Sequence, residues 1–202
     1  MRGRRACRWS PELTVRSHAI ASRPGIVAGL GVSLLVAGCA APAASGASGV
    51  TVDASGFRIT LPAGWEAQAT DQREWPGSRT VLVASTQTLD PQCDEAGSGR
   101  ECHTPVAALE EGAILIWWLS TTCAGGGCEP PNGERLLVGG REAARVEGSD
   151  LCAGLGASAE EAYIVAVSPQ RLDAIVVCQR DAPASVLAQV RDALDRVDWR
   201  NP

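Results

Sequence analysis

The chain has 202 residues, with 18 arginines, no lysine, 23 acidic residues and a formal net charge of −5. That balance argues against a nucleic-acid surface. The missing lysine removes Schiff bases, phosphate-loop lysines and Ser-Lys dyads from the chemistry available.

Residues 1–25 carry Arg2, Arg4, Arg5, Arg8, Arg16 and Arg23 against one acid, Glu12. Residues 26–36 are apolar except for Gly29, Gly31 and Ser33. A membrane-spanning helix needs roughly 20 apolar residues, so this run reads as the core of a secretory signal. It ends in Leu35-Val36-Ala37-Gly38-Cys39, which resembles the lipobox of bacterial lipoproteins, although leucine is commoner where Val36 stands. The resemblance implies that residues 1–38 are a signal peptide removed before Cys39. The Cys39 thiol would then carry a diacylglyceryl group and anchor the protein to the outer face of the cell membrane. Residues 39–49 are mostly Ala, Gly and Ser; such a stretch cannot offset its own ordering entropy and should be a flexible tether. Two acyl chains suffice for stable anchoring. Loss of the leader leaves 164 residues with 12 arginines and 22 acids, a net charge of −10. The lipid, not charge, would therefore hold the protein at an anionic membrane.

The folded part, residues 50–202, is expected to be a single domain. Phe57, Ile59 and Leu61 alternate with Arg58 and Thr60 as in a half-buried strand, which Pro62-Ala63-Gly64-Trp65 ends. A short helix is expected after Trp65 or over 104–111. Residues 80–85 form a second strand. Residues 113–119 are apolar throughout, as in a central strand covered on both faces, with Trp117 and Trp118 pointing to opposite sides. Gly139-Gly140 marks a two-residue hairpin between 136–138 and 141–146. A second hairpin joins 162–167 to 173–179. Val186, Leu187, Val190, Leu194 and Val197 recur at helical spacing, with Asp181 a cap candidate, Pro183 an early-turn proline and Asp192 placed to pair with Arg196.

Apart from Cys7 in the leader and Cys39, six cysteines remain: Cys93, Cys102, Cys123, Cys128, Cys152 and Cys178. An even set in an exported domain reads as disulfides. Of the 15 possible pairings, proximity favours Cys93–Cys102, Cys123–Cys128 and Cys152–Cys178.

The segment Gly56-Phe57-Arg58-Ile59-Thr60-Leu61-Pro62-Ala63-Gly64-Trp65 resembles the opening of Mog1/PsbP-like domains in actinobacterial lipoproteins of the LpqN type. The 139–144 segment, the 162–179 hairpin and the C-terminal helix before Asp198-Trp199 suit the same plan. The resemblance implies an α/β (α+β) fold: an antiparallel sheet with helices on both faces, here stapled by disulfides. It also implies a non-enzymatic assembly or binding role. The extra cysteines and the Gly-rich loop at 124–127 depart from the family pattern.

Catalytic patterns are sparse. His103 is the only histidine after Cys39, so His-pair metal motifs are excluded, and neither G-x-S-x-G nor G-x-G-x-x-G occurs. A Cys102/His103 nucleophile or a Cys102/His103/Cys123/Cys128 zinc site competes with disulfide formation. Cys123 and Cys128 have four residues between them, not the two of a redox motif. Asp90, Asp94, Glu95 and Glu101 could hold calcium, but they lack EF-hand spacing and read as a solvated loop. Glu110-Glu111 and Glu160-Glu161 read as surface charge before hydrolase carboxylates. Among the tryptophans, Trp65, Trp117 and Trp118 read as core, and Trp75 is the exposed candidate for stacking on a ligand. No catalytic residue, cofactor or metal is expected. The expected partners are the membrane, through the lipid, and an envelope protein, with no nucleic acid. The alternative is a carrier or sensor of lipid or cell-wall glycan.

Overall fold

The computed structural model describes residues 49–96, 99–123, 127–129, 132–147 and 150–200, and of these not the side chains of Trp75, 94–96 and 99–103. The expected leader, Cys39 and nearly all of the expected tether lie outside the described residues. So do residues 124–126 of the Gly-rich loop and the side chains of Asp94, Glu95, Glu101, Cys102 and His103.

Twelve strands and one α-helix make up the described domain: β1 (Val50–Ala54), β2 (Phe57–Leu61), β3 (Glu66–Trp75), β4 (Ser78–Ser85), β5 (Gln92–Ala96), β6 (Gly99–Thr104), β7 (Ile114–Thr122), β8 (Glu134–Val138), β9 (Arg141–Glu147), β10 (Ala159–Ser168), β11 (Arg171–Gln179), α1 (Ala184–Asp195) and β12 (Asp198–Trp199). Seven strands form one antiparallel sheet in the order β3-β4-β7-β11-β10-β9-β8. A smaller antiparallel sheet, β1-β2-β12, covers part of one face, and β5-β6 is a separate ribbon.

The all-apolar strand is central, as its composition requires. Side chains alternate across a strand, so Ile114, Ile116 and Trp118 of β7 enter one apolar cluster, while Leu115, Trp117 and Leu119 enter another on the opposite face. The first cluster is closed by Phe57, Ile59 and Leu61 of β2 and by Val190, Ala193 and Leu194 of α1. Phe57 stacks on Trp118 with ring centroids 3.8 Å apart, and Trp199 meets the edge of that pair.

The expected fold of helices on both faces is overturned: the domain is mostly β, with one α-helix among the described residues, on one face. The second face is covered by irregular chain, through Val106, Leu109 and the short 3-10 turn Ala153–Leu155. The backbone groups there have long-range partners, which a helix would forgo. Leu109 N–H donates to Leu155 C=O at 2.8 Å, and Glu110 N–H donates to Gln87 Oε1 at 2.8 Å. Residues 104–111 are therefore no helix. Nor is the stretch after Trp65, where good helix formers become β3 because pairing along β4 overrides local propensity. At the start of α1, Pro183 itself is the N-cap, without a side-chain cap bond, and Arg196 donates to the Asp192 carbonyl at 2.9 Å.

Disulfides Cys123–Cys128 and Cys152–Cys178 are present. The β5-β6 ladder sets Cys93 directly opposite Cys102, the backbone placement a third bridge needs; the bridge itself lies outside the described side chains.

Candidate functional site

The long sheet has two ends, β3 and β8, and among the described residues no strand pairs with the outer edge of β8. Such an edge presents unpaired N–H and C=O groups that another extended chain can complete. β8 pairs with β9 through a tight hairpin. Gly139 and Gly140 have φ of 55° and 76°, the left-handed conformation a two-residue I′ turn requires. A Cβ at Gly139 would fall 2.2 Å from the Val197 carbonyl oxygen, so glycine also permits the close approach of the C-terminal strand. Gly139 N–H donates to Leu194 C=O at 2.9 Å, and Trp199 Nε1 donates to Val138 C=O at 2.8 Å.

Beside this edge runs an open groove of about 640 Å³ between β8-β9-β10 and α1. Leu136, Leu137, Tyr163 and Leu194 supply its apolar lining, with Arg191 and Asp195 on the helix side. Leu137 is 56% exposed, the one exposed large apolar side chain among the described residues. The charges across the strands are matched. Arg145 contacts Glu134 at 2.5 Å and Glu161 at 3.8 Å, and Glu134 foremost raises its pKa.

Tyr163 donates to Glu161 Oε2 at 2.8 Å. Burial first, and then this bond, push its phenol from 10.0 up to about 12. Tyr163 is the only tyrosine, so phenolate absorbance of the folded protein should titrate near pH 12; a midpoint near 10 would contradict this geometry. With the folded pKa above the unfolded one, the associated stability is complete below about pH 10. It is lost as pH rises towards 12.

The other sequence candidates do not converge. Trp117 floors a cleft of about 140 Å³ between β3 and the β5-β6 ribbon. Its indole N–H donates to Thr80 Oγ1 at 2.8 Å, and Thr80 in turn donates to Glu74. That volume lies below the roughly 300–1,000 Å³ of sites that enclose a small molecule. Trp65 and Trp118 are core, and the side chain of Trp75 is outside the description. Among the described residues no group of three metal-ligating side chains forms, and no helix is long and apolar enough to cross a membrane. Glu160 accepts from Cys152 N–H at 2.9 Å, a structural role. Sequence reasoning missed Leu137 and the β8 edge, because an edge exists only once strand order is known. No family model matches the chain, and neither a curated protein nor a solved structure matches it.

Proposed function

We propose that this protein is a non-enzymatic lipoprotein, anchored through Cys39 to the outer face of the cell membrane. In this reading it docks an envelope protein by strand addition at β8. The observation that carries it is the β8 edge, which no strand pairs among the described residues, with exposed Leu137 beside an apolar groove. In this mode of recognition main-chain bonds give affinity and a neighbouring groove gives selectivity for side chains. The Gly139-Gly140 turn and the C-terminal strand already fix the edge, so little ordering opposes binding. The lipobox-like Leu35–Cys39 string and the paired cysteines support an extracytoplasmic address.

A native mass spectrum of the full protein drawn from its own membrane tests this reading. The expected species begins at diacylglyceryl Cys39, has its six remaining cysteines oxidised and retains a second polypeptide. A retained lipid or glycan in place of a polypeptide would favour a carrier, and an unprocessed N-terminus would remove the anchor.

A further inference from the structure

At the far end of the long sheet the register aligns one polar row across four adjacent strands: Arg73 of β3 opposite Arg79 of β4, Arg79 opposite Ser120 of β7, and Ser120 opposite Asp173 of β11. Directly opposed residues share a face, and Thr122 and Arg171 lie two positions along their strands on that same face. Arg73, Arg79, Ser120, Thr122 and Arg171, together with Gly77, Ser78 and Asp71, line an open pocket of about 360 Å³, with Asp173 buried beneath it.

The charge arrangement here is unusual for an acidic chain. Like charges directly opposite each other on a sheet are destabilising, yet Arg73 and Arg79 are such a pair. Arg79 is partly compensated, donating to Asp71 Oδ1 at 2.9 Å and Ser55 Oγ at 3.3 Å. Arg73 is exposed and has no ion-pair partner among the described residues. Arg171 is aimed by the buried Asp173, to which Nε and Nη2 donate at 2.7 and 2.8 Å, and by the Ser55 carbonyl at 2.9 Å. Its Nη1 group makes no hydrogen bond among the described residues. Asp173 thus spends its charge on positioning Arg171, and Asp71 is the one carboxylate on the pocket wall outside that buried pair. Three guanidinium groups with hydroxyls between them suit a compact oxyanion, since guanidinium donors match phosphate oxygens in pairs.

We propose that this pocket binds a phosphate-class oxyanion between Arg73, Arg79 and Arg171. The group could belong to a soluble phosphate compound or to an anionic phospholipid headgroup. Calorimetric titration of the full chain with inorganic phosphate, at constant ionic strength, tests it. Phosphate should bind the wild type. Arg73→Ala should weaken binding at least about tenfold, the loss of one charge-assisted contact, and added sodium chloride should weaken it further. Arg135→Ala, on the opposite sheet edge, should leave it unchanged. Because Arg73 is exposed, Arg73→Ala should keep or raise the Tm in chloride buffer, which separates lost binding from lost folding. No phosphate binding, or equal binding by Arg73→Ala, overturns the proposal. The source is separated with the full chain carrying Cys39→Ser, which lacks the anchor. Arg73-dependent binding to phosphatidylglycerol but not phosphatidylcholine vesicles assigns a headgroup; phosphate binding without vesicle binding assigns a soluble compound.

Discussion

Arg171→Ala should destabilise the domain by about 3–5 kcal/mol. The Asp173 side chain is completely buried, and its two oxygens accept from Arg171 Nε and Nη2 and from Trp118 Nε1, the last at 2.9 Å. Without the guanidinium, a buried carboxylate keeps a single N–H donor, and desolvation of the uncompensated charge dominates the loss. The effect is larger than for an exposed ion pair such as Arg79–Asp71, where both side chains are wet and the pair is worth about 0–1 kcal/mol. Replacing both partners, as in Arg171→Met with Asp173→Leu, should recover much of the loss, because no charge is then stranded. Urea unfolding followed by tryptophan fluorescence measures each difference. A loss below about 1 kcal/mol for Arg171→Ala, against the 3–5 expected of a broken buried pair, would show that water reaches Asp173.

Removing the Cys152–Cys178 bridge should cost about 3.5 kcal/mol, and removing Cys123–Cys128 about 2 kcal/mol, on chain-entropy scaling with loop length. The sequence separations are 26 and 5 residues. Packing acts in the same direction. Cys152 and Cys178 are buried in the second apolar cluster, where Leu155 and Leu109 cover a sheet face that, among the described residues, no α-helix covers. Cys128 lies at the end of a loop tied to the β10-β11 turn by its N–H bond to Pro169 C=O. The double substitutions Cys152→Ala/Cys178→Ala and Cys123→Ala/Cys128→Ala, compared by urea unfolding, should keep this order. The reverse order would mean that the irregular cover is held by something other than the longer bridge.

Much of the framework was legible because it depends on local alternation. The β2 pattern, the apolar β7, the Gly139-Gly140 hairpin and the apolar stripe of α1 each follow from residues within a few positions of one another. The two described disulfides matched the pairing by proximity. What escaped the sequence depends on long-range pairing. β3, with Glu66-Ala67-Gln68-Ala69 at its start, carries helix-favouring residues, and only β4 makes it a strand. The resemblance of 56–65 to a family opening led to helices on both faces, whereas those residues establish only β2 and the turn to Trp65. The polar row with its arginine pair and the β8 edge arise from strand order and register, and no spacing along the chain encodes either one visibly.

The proposed docking is tested most directly by placing a photo-crosslinking amino acid at position 137 of the full protein in the cells that make it, with a second variant carrying it at position 58 on β2. Leu137 and Arg58 are both exposed, so neither replacement should disturb the core. Docking at β8 gives a discrete protein adduct from 137, mapping to an extended segment of the partner, and none from 58. Equal labelling from both positions, or no protein adduct from 137, would contradict it.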